Sequence, residues 1–571
     1  MSSPSASLPQ ALTAQARQEA QPLHWRSLGR LALALLLINS SLCFEAIWPT
    51  VYVQPSASLA PEFACVVLLV LACLVLFGRF PGRSPAGLPR GLSKALAIML
   101  TFMAVGRYAQ VVVPNILGRP VNLYWDVPQI PRFAWVTAQG LPWWMSALAV
   151  LGLLLGVWVL YRLMLWSIQT VGHGLAPWHK NPVVWGVAVL LLFAALPGFE
   201  KEHPPKHWVS QAVLPVYVNE LGRLIDIAVP ARAARLLPES TVVDVAMAAE
   251  PGQALAALHG RDLTMVFLET YGAVLYDQPQ ARQAVQATRD QLEQAIVASG
   301  QQVVSAFFTS PTIGGASDLA HLSVLSGIDL KDSRKHDVLL TTQRPTLIDV
   351  FQREGYEAFG LYHSVAWDWV ERVYYGFDQY LSGPDLQYPG PPIGFWKIPD
   401  QYPLPRLEQL HPRTAQTKPR FTFFTTISTH FPFHQVPPYQ PDWKKLLSDQ
   451  PFDAHTAARA QAEPVLWDDM RPDFYRSINY AHTWLAGYFA QPQARPTVHV
   501  LVGDHQPTGS ISREETPWDV PVFIVSSDKT LLNRFRHLGF TDGMEPAVRK
   551  PMGGLHHLTE VLLHGLGDSL Q

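Results

Sequence analysis

Thr264-Met265-Val266-Phe267-Leu268-Glu269-Thr270 is the stretch that decides the fold. Apolar and β-favouring residues run straight into an acid. That is the pattern of a buried parallel strand delivering a carboxylate to the edge of a sheet, where open α/β folds place their ligands. Two later segments are built the same way. Val303-Val304-Ser305-Ala306-Phe307-Phe308 leads towards Ser317, and Val498-His499-Val500-Leu501-Val502-Gly503 runs into Asp504-His505. Apolar strands ending in acid, hydroxyl and Asp-His predict one metal site assembled across a sheet.

Outward from these strands, apolar runs alternate with helical stretches. Helices are expected at Pro279–Ser299, with its proline in the first turn, at Thr346–Glu354 and at Asp473–Ala490. Further strands are expected at Tyr356–Tyr362, Phe421–Ile427 and Val520–Val525. The alternation predicts an α/β domain over 263–571 with a largely parallel central sheet.

The 571-residue chain is long enough for more than one domain, and its formal charge of −2 gives no general attraction to nucleic acid. Apolar residues are unevenly spread. The first 200 positions hold long charge-free runs, at roughly Leu28–Ile47, Phe63–Phe77, Leu92–Val113, Trp144–Trp166 and Val183–Phe199. Crossing the hydrocarbon takes about 20 residues, so these predict a five-span transmembrane domain over 26–199. Residues 1–25 are polar and are expected to be a disordered cytoplasmic tail, and 200–262 to be a tether with helices. The first run is too long, and lacks the small-residue site, for a cleaved signal.

Lys and Arg set the orientation. Arg17, Arg26 and Arg30 precede the first run, while Arg79, Arg83, Arg90 and Lys94 fill the second connection. The first connection has none. The positive-inside rule therefore predicts a cytoplasmic N-terminus and a catalytic domain outside the cytoplasmic membrane. The third connection, with Asn122, Tyr124 and Trp125, reads as an interfacial lipid-facing loop or as an amphipathic linker at the headgroup level. Cys43, Cys65 and Cys73 all fall in or beside the apolar runs, so the 263–571 domain has no disulfide and no thiolate chemistry.

The candidate nucleophiles lie in Ser310-Pro311-Thr312-Ile313-Gly314-Gly315-Ala316-Ser317-Asp318. The glycines make a tight turn and a helix follows, stopping at Gly327. A serine at that helix start sits in a field that favours an anion, and a nearby divalent cation would activate it. Alternatively Ser317 is an ordinary N-cap. Thr312 and then Ser310 are the other hydroxyls. Gly503-Asp504-His505 offers carboxylate and imidazole ligands for Zn²⁺ or Mn²⁺. His430, in Ser428-Thr429-His430-Phe431-Pro432, could bond a phosphoryl oxygen or protonate a leaving group, or be a surface loop residue.

Taken together, these motifs resemble the sulfatase-like branch of the alkaline phosphatase superfamily. Five spans before an extracytoplasmic domain resemble, more narrowly, lipoteichoic acid synthase and the phosphoglycerol and phosphoethanolamine transferases. The resemblance implies metal ligands at Glu269, Ser317, Asp504 and His505, for one or two Mn²⁺ or Zn²⁺ ions. It implies a phosphate contact at His430 and headgroup contacts at Trp369 and Arg372 within His363–Asp378. The same segment, read by periodicity, is equally an amphipathic helix with core tryptophans.

Two departures bear on this. Ser317 lacks the C/S-x-P-x-R setting that sulfatases need, which disfavours sulfate-ester hydrolysis. The family's Thr nucleophile falls on Ala316. The implied reaction is transfer of phosphoglycerol from a membrane phospholipid to a glycan or polyol through a phospho-Ser/Thr intermediate. Phosphoethanolamine transfer, phosphodiester hydrolysis and a non-catalytic binding subunit are the alternatives.

Overall fold

The computed structural model describes residues 25–77, 87–117, 120–124, 126–128, 130–131, 134, 142–199, 208–229, 232, 235–365, 372–394, 397–414, 417–513 and 516–568. The N-terminal tail before Trp25 lies outside them, as does Trp369. The chain divides into two compact units. One comprises Met1–Glu45, Val53–Val111 and Pro128–Glu220; the other comprises Ala46–Tyr52, Val112–Val127 and Leu221–Gln571.

Helices stand at each of the expected runs of the first unit: Trp25–Ser40, Pro61–Phe77, Arg90–Leu117, Trp143–Leu175 and Pro182–Ala195. Among the described residues, three are long and apolar enough to cross a membrane. Trp25–Ser40 and Pro61–Phe77, at 16 and 17 residues, fall short of that length. The core of this unit gathers Ala34, Ile38, Val70, Leu71, Leu100, Ile168 and Val171. Leu148, Leu151, Leu154 and Trp158 along Trp143–Leu175 are left exposed, a face suited to lipid rather than water.

The second unit is built on one eight-stranded sheet. In chain order its strands are β1 (Asp262–Leu268), β2 (Gln302–Thr309), β3 (Glu357–Tyr362), β4 (Gln379–Ser382), β5 (Arg420–Thr425), β6 (Thr497–Gly503), β7 (Asp519–Ser526) and β8 (Thr541–Asp542). Their spatial order is β8-β2-β7-β6-β1-β5-β3-β4. β1 pairs in parallel with both β5 and β6 and is buried along its whole length. Such a strand has no polar face, which is why its sequence is an unbroken apolar run.

Side chains alternate across the sheet. Met265, Phe267, Val500 and Val502 pack on one face with Leu319, Leu322, Phe351 and Leu562. Val266, Leu268 and Leu501 pack on the other with Val285, Leu292, Ile478 and Trp484. Helices thus cover both faces, the α/β layering that the strand and helix alternation predicts.

The sheet is mostly, not wholly, parallel. β7 runs antiparallel to β6 and to β2, and β2 antiparallel to β8. A strand buried on both faces reads the same in either direction, so its sequence cannot report polarity. The short strands β4 and β8 carry no such run, and the sequence gives no sign of them.

Segments from two connections of the N-terminal half belong to this unit. Asn122 donates to Ser333 Oγ at 2.7 Å and the Tyr124 hydroxyl donates to Asp337. Asn115 donates to the Thr50 carbonyl at 2.9 Å, and the Trp48 ring lies beneath the guanidinium groups of Arg471 and Arg513. Asn115, Asn122 and Tyr124 of the third connection thus find protein partners.

Candidate functional site

The register of β1 against β6 builds the centre of the site. Leu268 lies opposite Gly503, so Glu269 and Asp504 leave adjacent parallel strands side by side. Gly503 is required there, because a Cβ would collide with the Tyr271 carbonyl. The ligand atoms of Glu269, Asp504 and His505 lie within 4.8 Å of one another, and all three residues are buried. His505 Nδ1 faces the Gln506 carbonyl at 2.8 Å, which turns Nε2 towards the carboxylates. Nε2 is 3.4 Å from Glu269 Oε1 and 3.6 Å from Asp504 Oδ2.

The residues fit a divalent cation. Asp504 Oδ2 is buried without a hydrogen-bond partner, a costly state that a cation would relieve. Asp504 Oδ1 is already taken by the amides of Thr270 and His505, at 2.8 and 2.6 Å, so the free oxygen has a fixed direction. Two carboxylates and an imidazole suit Zn²⁺ or Mn²⁺. Among the described residues, no second cluster of this kind occurs.

Charge in the cluster is balanced internally. Burial raises the Glu269 carboxyl, but the hydrogen bond and charge of His505, with the charge of His430, hold it well below the usual range. Burial and the neighbouring Glu269 charge push Asp504 up. Burial lowers His505, and the Asp504 and Glu269 carboxylates outweigh it and raise the imidazole. A bound cation would do the imidazole's work, leaving both carboxylates ionised and His505 neutral.

Ser317 opens the helix Ser317–Ser326, which ends at Gly327 in the left-handed region. The N-cap is Ala316, itself left-handed at φ 60°, and it has no side chain to cap with. Ser317 is therefore not the cap. Its hydroxyl donates to Glu269 Oε2 at 3.0 Å and lies 3.3 Å from His505 Nε2. The other hydroxyls are engaged elsewhere: Thr312 donates to the Gly315 carbonyl at 2.7 Å, and Ser310 to the Asp504 carbonyl at 2.6 Å.

His430 stands on the turn that follows β5. Thr429, beside it, donates to the Glu269 carbonyl at 2.5 Å, and Thr426 accepts from the Glu269 amide at 2.9 Å. The turn is thus tied to the end of β1. Arg372 opens the short helix Arg372–Tyr375, exposed, with its guanidinium 5.3 Å from the centre of the Tyr380 ring.

Several residues around the site are not legible in the sequence. Thr270, Thr426 and Thr429 hold the acid and the His430 turn, and Gln506 accepts from the Val274 amide at 3.1 Å while donating to the Pro517 carbonyl at 2.8 Å. Their only signal is a threonine or glutamine beside a strand end. Asp400 and His363 form a buried pair at 3.0 Å, and they are 37 positions apart with no shared periodicity.

The family model described as Sulfatase matches residues 305–534. Among solved structures, the lipoteichoic acid synthase LtaP from Listeria monocytogenes is similar at 16% identity over 55% of this chain and 73% of that chain, TM-score 0.35. The C-terminal periplasmic domain of EcEptC from Escherichia coli, in complex with Zn, is similar at 13% identity over 47% and 73%, TM-score 0.31. The Streptococcus pyogenes phosphoglycerol transferase GacH, in complex with sn-glycerol-1-phosphate, is similar at 12% identity over 50% and 71%, TM-score 0.31. Comparison with curated proteins finds no match.

Proposed function

We propose that this chain, which carries a sulfatase-like domain of the alkaline phosphatase superfamily, transfers phosphoglycerol from a membrane phospholipid to an extracytoplasmic glycan or polyol. The observation that supports this reading is the Ser317 hydroxyl, lodged between Glu269 and His505 at the start of a helix. Glu269, Asp504 and His505 would hold a Mn²⁺ or Zn²⁺ ion with Ser317 Oγ as a further donor. When bound, the ion supplies Lewis-acid stabilisation of the phosphoryl group and lowers the hydroxyl's pKa.

The reaction is a double displacement. Ser317 loses its proton to solvent, and Oγ bonds to phosphorus as the bond from phosphorus to the diacylglycerol oxygen breaks. His430 protonates that oxygen. An acceptor hydroxyl then gives its proton to His430 and bonds to phosphorus as the bond to Ser317 Oγ breaks, and Oγ takes a proton back from solvent. One diester and one alcohol become another diester and diacylglycerol. Arg372 and Trp369 would line the headgroup, where a guanidinium matches phosphate or polyol oxygens. A membrane-anchored domain keeps its lipid donor at high effective concentration.

The test is intact mass of the full chain in detergent, with Mn²⁺ or Zn²⁺ and either phosphatidylglycerol or phosphatidylethanolamine. A phosphoglycerol adduct, absent in Ser317→Ala and retained in Thr312→Ala, is the expected result. A phosphoethanolamine adduct would change the donor, and loss only in Thr312→Ala would move the nucleophile. Phospholipid cleavage without transfer to any added polyol would make the chain a hydrolase. No adduct and no bound metal would leave the binding-subunit alternative.

A further inference from the structure

Behind the His430 turn lies a polar group that the chemistry above does not use. Asp400 and His363 are wholly buried, with His363 Nε2 3.0 Å from Asp400 Oδ1. Oδ1 also accepts from the Ile427 amide at 2.8 Å, and Oδ2 accepts from the Ser428 amide at 2.9 Å. The Asp400 amide in turn donates to the Ser428 hydroxyl at 3.4 Å. A buried carboxylate is costly unless bonded in this way, so the group is a rigid fixture rather than a flexible contact.

What it fixes is the turn. The His430 amide donates to the Ile427 carbonyl at 3.0 Å, so the residue clasped by Asp400 is also the one that sets where His430 begins. On its other side the turn is tied by Thr429 to the Glu269 carbonyl. Ile427, Ser428 and His430 line a small cavity together with Ile393, Gly394 and Ile398, on the segment that leads into Asp400. His363 itself follows β3 and opens the segment that continues to Arg372. One buried pair therefore joins the turn carrying His430 to the exit of the strand from which the headgroup segment departs.

We propose that Asp400, oriented by His363, is a positioning residue: it holds the Ile427–Ser428 amides so that the His430 imidazole faces the reacting phosphate at the mouth of this cavity. It touches neither substrate nor metal. The inference rests on the role given above to His430, but not on the identity of the lipid donor.

The test is a double-mutant cycle on the full chain in detergent with Mn²⁺, reading hydrolysis of a chromogenic p-nitrophenyl phosphodiester. Asp400→Asn keeps the volume but replaces one accepting oxygen with a donor aimed at an amide. It is expected to lower kcat/KM about tenfold to a hundredfold, the range seen when an orienting partner is removed, with bound Mn²⁺ unchanged. In a His430→Ala background the same substitution should cost less than about threefold, because the imidazole it positions is gone. An equal loss in both backgrounds, or loss of Mn²⁺, would overturn the proposal. Should Asp400→Asn not fold, His363→Leu, which leaves both amides bonded, goes through the same cycle: a loss confined to the His430 background supports the proposal, and an equal loss in both overturns it. Turnover of this diester without a lipid adduct would sink the phospholipid reading while leaving the cycle readable.

Discussion

Glu269, Asp504 and His505 leave two adjacent strands in fixed register, whereas His430 and Arg372 stand on a turn and a one-turn helix outside the sheet. The first group is buried to within 5% exposure. Arg372 is exposed, and Trp369 lies outside the described residues. The contrast separates two jobs. Metal ligands must be held to a few tenths of an ångström, and a buried parallel sheet gives that rigidity without further help. The groups proposed above to meet the phosphate and headgroup sit on connections, where sequence can change without disturbing the core.

The strand-end group should be the less forgiving. Asp504→Asn keeps the shape but removes the anionic oxygen that accepts no hydrogen bond. Metal retention through gel filtration should fall below detection and phosphodiester turnover by about a thousandfold or more, as expected when several kcal/mol of charge stabilisation are lost. Elemental analysis of the purified chain checks the first and a rate assay the second. Full metal occupancy in Asp504→Asn would show that the two sides do not differ as described.

Arg372→Ala probes the outer group. The side chain is exposed, so the fold and the metal should be untouched. If it meets substrate oxygen, KM for the phospholipid should rise about tenfold, the effect of one charge-assisted hydrogen bond, with kcat within about threefold. A fall in kcat at constant KM would instead place Arg372 with the transition-state groups and blur the division.

The same contrast explains what can be read from sequence. Glu269 and Asp504-His505 each end an apolar run, and burial on both faces makes such a run visible in one dimension. The location of the site follows from them. Asp400 and His363 give no such sign, because Asp400's partners, two backbone amides and the His363 imidazole, are brought near only by the fold. Strand polarity is equally hidden: β2 and β7 are as apolar as β1, yet they run antiparallel to their neighbours. The choice of hydroxyl lies between these cases. Glycines mark the turn, but whether Ser317 caps its helix or faces the acid depends on the backbone angle of Ala316, which no pattern announces.

Ala316 offers the smallest test, and it touches the rigid side. Its left-handed φ of 60° costs a non-glycine residue about 1–2 kcal/mol. Glycine would relieve that strain but adds about 0.5–1 kcal/mol of unfolded-state freedom to be lost on folding. The balance for Ala316→Gly is a gain of about 0 to 1.5 kcal/mol, a small rise in Tm. Ser317 begins its helix at the next residue, so the strained Ala316 aims the hydroxyl at Glu269 and His505. A glycine in its place allows more backbone conformations, and kcat should fall by about twofold to fivefold while metal binding stays the same. Melting and rate curves on the same sample check both signs. If Ala316→Gly melts higher with no loss of kcat, the left-handed residue is merely tolerated and the aim comes from the helix alone.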